Sequence, residues 1–304
     1  MKTPALGILL LLLPALPAAA FAAEPTANIA RGLDAQSVGA PFVVPGAKQF
    51  DFISKLNNRP YRLMVWAPKD AATKAYPVIY FLDGNEYFAA AATDDWHYEN
   101  SIMVGVGYIT DSVAEWRERR AFELTPSSDP TSKVPSGGGE MFTRVLLEEM
   151  KPFIASRYKV QPDHQAIFGV SSGGLAVLNI LFNHTSAFDT YIAGSPAISW
   201  DNRFVLKSEE AFSKRVKAGE VQVRVLITSS GNEQYRGTDP ALLAAAQKSR
   251  MIDNASELAA RLRDLNPKNM PVVYTLFPDE THGSGSYSSL RRGIAFALAT
   301  QPQK

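Results

Sequence analysis

A series of continuous apolar runs, "PVIYFL" at 77–82, "IMVGVGY" at 102–108, "AIFGV" at 166–170, "YIAGS" at 191–195, "VRVLITSS" at 223–230 and "VVYTLFP" at 272–278, limits most what this chain can fold into. A strand with one wet face alternates apolar and polar residues; these do not, so they suit strands buried on both faces of a parallel sheet. Helix-period segments lie between them. In 141–157, Phe142, Val145, Leu146, Met150, Phe153 and Ile154 share one stripe, and 174–182, 254–265 and 288–298 follow. Strands alternating with helices predict an α/β doubly wound sheet with ligands at the strands' carboxyl ends. Two earlier alternating segments, 50–54 and 61–67, flank Asn57, Asn58 and Arg59. They predict an antiparallel edge hairpin, which brings the count to about eight strands, mostly parallel.

The chain opens with "MKTPALGILLLLLPALPAAAFAAEPT": a basic start at Lys2, an apolar run over 6–13, and small residues ending at Ala22. This pattern predicts a secretory signal peptide over residues 1–22 and a periplasmic destination. The apolar stretch is short and interrupted by Pro14 and Pro17, so no membrane anchor is expected after cleavage. There is no cysteine anywhere, so an exported chain has to hold together without disulfides. Residues 23–304 show no repeat, low-complexity tract or long charge block, and are read as one domain. The formal net charge is +1, and Lys2 is the only charged residue before the cut, so the remainder is neutral. That argues against a general nucleic-acid or anionic-membrane binder.

Gly169, Val170, Ser171, Ser172 and Gly173 spell G-x-S-x-G, with an apolar strand before the motif and a helical run after it. That is the context of a nucleophile elbow. The strand-to-helix turn forces the central serine into a strained conformation, and side chains at the two glycine positions would collide. Ser171 is thus the expected nucleophile.

A serine hydroxyl needs a base to take its proton. Of the four histidines, His164 and His184 fit surface turns, and His97 sits in a polar loop where it could at most line a site. His282 follows the last strand in "FPDETHGSGSYSSL", a loop at the expected ligand edge, and is the expected base. Glu233, after the penultimate strand, is the expected acid, with Asp279 as its rival three residues before the histidine. An oxyanion hole needs two converging amides; the N–H groups of Ser172 and of Asn85, in "YFLDGNEYF", are the candidates.

With "YFLDGNEYF", "VGVGY", "RRAFELTP", "GGGEMF", "GVSSGGL", "GSPAISWDN", "GNE" and "ETHG" in that order, the chain resembles the esterase family of α/β hydrolases that includes the enterochelin (enterobactin) esterases. The likeness runs from about residue 50 to residue 298 and is strongest to periplasmic siderophore esterases. It implies an α/β-hydrolase fold and ester hydrolysis, with Ser171 and His282 on the family's nucleophile and base positions. Some siderophore esterases of this type lack a clear acid, so Glu233 is not fixed by the resemblance. Members of the family also cleave acetylated or feruloylated sugars and small thioesters. A carbohydrate esterase, or a non-catalytic siderophore-binding protein with a vestigial triad, is therefore the alternative.

Ferric enterobactin, the substrate the resemblance implies, is a trilactone complex with three negative charges. A site for it should combine cations with aromatic faces. "EWRERRAFELTP" offers Trp116, Arg117, Arg119 and Arg120 in what reads as a loop at the ligand edge, with Arg120 the favoured contact. The alternative is that Glu115, Glu118 and Glu123 neutralise the arginines of this segment on a solvated surface. Trp200, Tyr235, Arg236 and Tyr287 are further candidates to wall the pocket. Iron would be part of the substrate, and no cofactor or resident metal is expected.

Overall fold

A computed structural model describes residues 43–93, 100–234 and 239–299. The proposed signal peptide, His97, Tyr235 and Arg236 lie outside the described residues.

The apolar runs form strands where expected: β3 (Tyr76–Phe81), β4 (Ile102–Gly107), β5 (Val160–Val170), β6 (Thr190–Gly194), β7 (Arg224–Ser230) and β8 (Val272–Phe277). With the hairpin β1 (Lys48–Ile53) and β2 (Pro60–Trp66) they make one eight-stranded sheet in the order β1-β2-β4-β3-β5-β6-β7-β8. The strand β2 pairs antiparallel with both β1 and β4, and every other pairing is parallel. Parallel strands need crossovers that leave helices on the faces, which is why these strands are apolar on both sides.

The helices are α1 (Gly84–Ala91), α2 (Val113–Glu123), α3 (Gly139–Val145), α4 (Lys151–Arg157), α5 (Ser172–Asn183), the short α6 (Trp200–Arg203), α7 (Glu209–Lys217), α8 (Pro240–Ser249), α9 (Met251–Arg263) and α10 (His282–Leu298). Between α3 and α4 the chain makes a π-helical turn over Leu146–Met150. Pro152 has no N–H to return to residue 148, and a widened turn accommodates its ring.

Alternation along each strand sends neighbouring side chains to opposite layers. Tyr80, Ile167, Tyr191 and Val225 join Leu175, Leu178, Phe212 and Leu258 on one face. Phe81, Phe168, Ile192 and Leu226 join Phe88, Leu290 and Ile294 on the other. Burying any one of these large side chains contributes about 1.5–3 kcal/mol. The consequence for the site is rigidity: β5, which ends at the candidate nucleophile, is held between β3 and β6 at the centre of the sheet.

Two segments read as loops are helical. "EWRERRAFE" is part of α2, started by Ser112, whose hydroxyl accepts the Glu115 N–H at 3.3 Å. His282 is the first residue of α10, where Thr281 and Ser284 form a reciprocal capping box. Neither segment carries a broad apolar stripe. The first does hold Ser112 and Glu115 at the N-cap and third helical position, a start signal that the charge-rich stretch after it obscured, whereas the second has Ser284 rather than a glutamate at that position.

Candidate active site

Ser171 follows the end of β5 with φ 58° and ψ −116°, a left-handed backbone that an L-residue adopts only under constraint. The constraint is visible on both sides. The Ser171 N–H donates to Gly194 O at 2.9 Å, and Ser171 O accepts from Leu175 N–H at 2.9 Å and Ala197 N–H at 3.0 Å. A Cβ on Gly169 would stand 2.5 Å from the Gly173 carbonyl carbon, so only glycine lets the strand and helix approach this closely. Ser172 begins α5, where first-turn amides have no intrahelical acceptor and point away from the helix.

Glu233 lies just past β7 and His282 past β8, the two neighbouring strands at that end of the sheet. His282 Nδ1 meets Glu233 Oε1 at 2.7 Å. Glu233 Oε2 accepts the Ser230 N–H at 3.2 Å, and its side chain is 1% exposed against 33% for His282. A buried carboxylate on Nδ1 fixes the tautomer that leaves Nε2 as the proton acceptor. Asp279, the rival acid, is exposed; its backbone carbonyl, not its carboxylate, is what Asn232 contacts, at 3.1 Å. Helix α10 approaches the sheet closely: Ser289 Oγ meets Thr228 Oγ1 at 2.7 Å, and a Cβ on Gly194 would lie 3.1 Å from Ser289 Cβ.

Asn85 is in the first turn of α1, with its side chain turned to the end of β4. Its Oδ1 accepts the Tyr108 N–H at 2.8 Å and its Nδ2 donates to Tyr108 O at 3.0 Å. No backbone acceptor takes the Asn85 N–H among the described residues. A Cβ on Gly84 would sit 2.6 Å from the Gly105 carbonyl carbon, so α1 is pressed directly onto β4. Beside it, Glu86 has its carboxyl pushed above the usual range by burial, with the Asp83 charge adding to the effect.

The arginine segment departs most from expectation. Arg120, read as the favoured substrate contact, directs Nε to Asp83 Oδ1 at 2.9 Å and Nη2 to Asp83 Oδ2 at 2.7 Å. Burial works against its charge, but the Asp83 carboxylate outweighs this and raises its pKa. Arg119 is drawn to the buried Glu123 at 2.9 Å, which Arg59 also reaches at 3.4 Å. Glu123 therefore does neutralise its neighbours, whereas Glu115 accepts from Thr110 Oγ1 at 2.6 Å. Trp116 packs under the Arg120 guanidinium, 5.1 Å from it, with its Nε1–H buried and unpaired. Arg117 is exposed.

A cleft of about 470 Å³ is lined by Asn85, Glu86, Thr110, Asp111, Ser112, Val113, Trp116 and Arg62. Trp200 donates Nε1–H to Ser127 O at 3.2 Å, and Tyr287, 45% exposed, meets Tyr87 edge-on at 5.8 Å. His164 is exposed and His184 pairs with Glu140 at 3.0 Å, in keeping with surface histidines. Among the described residues, no cluster of His, Cys, Asp or Glu could hold a metal ion, and no helix is long and apolar enough to cross a membrane.

A mostly parallel eight-stranded sheet flanked by helices, with a strained serine at a strand-to-helix turn, defines an α/β hydrolase. The family model described as "Putative esterase" matches residues 54–264. The ferri-bacillibactin esterase BesA of Bacillus subtilis is 32% identical over 274 residues, covering 84% of this chain and 91% of that one. A siderophore triacetylfusarinine C esterase of Aspergillus fumigatus is 30% identical, covering 86% and 96%. Among solved structures, the BES protein from Bacillus cereus superposes with a TM-score of 0.74 at 28% identity, over 87% of this chain and 100% of that one. The chain belongs to this esterase family and is an ester hydrolase.

Proposed function

We propose that the chain is an exported siderophore esterase acting by acyl transfer through Ser171, His282 and Glu233. The observation that carries the reading is the strained Ser171 turn, which the contact between Gly169 and Gly173 makes possible. Ser171 Oγ attacks the ester carbonyl as His282 Nε2 takes its proton, while Glu233 holds the ring and stabilises the imidazolium. The Ser172 and Asn85 amides receive the oxyanion. Collapse of the tetrahedral adduct expels the alcohol, which takes the proton from His282. Water, deprotonated by the same histidine, then releases the acid and restores Ser171.

Relatives named for ferri-bacillibactin, triacetylfusarinine C and enterobactin support a siderophore ester as substrate. Within that class we favour a catecholate trilactone such as ferric enterobactin, supported by the exposed cation Arg117 and the aromatic side chains Trp116 and Tyr287. Hydrolysis would open the macrocycle and weaken its preorganised hold on iron. The apolar leader over residues 1–22 supports action in the periplasm. Mass spectrometry of products tests the substrate: ferric enterobactin should be cleaved faster than a neutral ferric tri-hydroxamate ester or feruloyl and acetyl sugars. Preference for any of those would overturn the catecholate assignment.

A further inference from the structure

The Arg120–Asp83 pair joins two segments that are 37 residues apart. Asp83 is the N-cap of α1, with φ 55° and ψ 45°, yet its side chain caps nothing in that helix. Its backbone carbonyl accepts the Glu86 and Tyr87 N–H groups at 2.8 and 3.2 Å, while its carboxylate is given over to Arg120. The same Nη2 of Arg120 reaches Val170 O, the carbonyl just before the nucleophile, at 3.4 Å. On the other side, a Cβ on Gly173 would lie 3.3 Å from Asp83 Oδ2, so the carboxylate also abuts the turn after Ser172. One guanidinium–carboxylate unit, its carboxylate buried and its guanidinium partly so, therefore touches both amide-bearing turns, the start of α1 and the start of α5.

A left-handed aspartate with a 0% exposed carboxylate costs free energy in both backbone and desolvation, so its partner decides whether that conformation persists. A bidentate fork holds both distance and angle, which a point charge does not. We infer that Arg120 and Asp83 act as positioning residues for the oxyanion hole, fixing the Asn85 amide relative to the Ser172 amide. This rests on the acyl-transfer reading above. It also changes the expected role of Arg120: its influence should extend to every ester, charged or neutral, because the developing oxyanion is common to all.

The test uses the full-length chain with p-nitrophenyl butyrate as neutral ester and ferric enterobactin as anionic ester, alongside Ki for a trifluoromethyl ketone that forms a tetrahedral adduct. Arg120→Lys and Asp83→Asn should lower kcat by roughly 10- to 100-fold on both esters with KM within about threefold, and weaken the ketone by a matching factor. Arg120→Ala should lose more. Circular dichroism and melting separate misfolding from mispositioning, and Arg120→Lys, which keeps the charge and most of the packing, carries the result if the alanine variant does not fold. Loss on ferric enterobactin alone, expressed in KM, would overturn the inference and show that Arg120 meets the ligand directly. Full activity of Ser171→Ala would instead overturn the acyl-transfer reading on which the inference rests.

Discussion

Glu233→Gln is the most informative single change at the site, because the structure dictates two separate costs. The carboxylate stands 2.7 Å from His282 Nδ1 and is 1% exposed, so it faces the imidazolium formed during catalysis almost without water. Exchanging a charge-assisted hydrogen bond for a neutral one costs about 1–1.5 kcal/mol. The second cost comes from Ser230, whose N–H donates to the other carboxylate oxygen at 3.2 Å. A glutamine must either turn its NH₂ toward that N–H, donor against donor, or turn it toward His282 and reverse the imidazole tautomer. Either adds about 1–3 kcal/mol. Together they predict a kcat lower by roughly 10²- to 10³-fold with KM within about threefold. The assay is steady-state hydrolysis of p-nitrophenyl butyrate at pH 8, beside Ser171→Ala, which should lose on the order of 10⁵-fold or more. Glu233→Gln within about fivefold of the parent, or an equal loss in Asp279→Asn, would refute the reasoning.

Other outcomes follow from the same geometry. Gly169→Ala places a Cβ 2.5 Å from the Gly173 carbonyl carbon and should destabilise by about 1–3 kcal/mol while removing most activity, read by melting and by esterase assay. Lys151 packs in a cavity at the amino ends of the strands, its ammonium 4.1 Å from the Phe188 ring centre and hydrogen-bonded to Ala187 O; burial lowers its pKa to about 8 from an ordinary 10.5. The unfolded chain holds this proton up to about pH 10.5, so the penalty is complete below pH 8 and lifts between pH 8 and 10.5. Lys151→Met should thus be more stable than the parent at pH 7, by about 1–2 kcal/mol after allowance for solvent screening, with the gain fading toward pH 10 in urea melts.

What could be read from the sequence was whatever depends on local pattern. The continuous apolar runs gave all the parallel strands because burial on both faces leaves a direct mark in composition. The turn around Ser171 was legible because two glycines at fixed offsets reflect a steric demand within five residues. What escaped depends on distant partners. Helix α2 has almost no apolar stripe; it is tied to the rest of the fold through Arg120 to the buried Asp83 and through its own buried Glu123 to Arg59. The Arg120–Asp83 bond spans three elements and has no sequence signature, so Arg120 read as a surface cation awaiting a ligand. The acid was legible only as a choice: Glu233, after the penultimate strand, was expected with Asp279 as its rival, and it is the contact between neighbouring strand ends that joins Glu233 to His282. The Gly-rich "THGSGS" also concealed the capped start of α10.

The central claim is that Ser171 is an activated nucleophile, and covalent labelling tests it most directly. Incubation of the native chain with a fluorophosphonate, followed by intact-mass measurement and peptide mapping, should give one adduct, on Ser171, that is absent from Ser171→Ala. An unlabelled protein, or an adduct on another serine with Ser171 unmodified, would contradict the account.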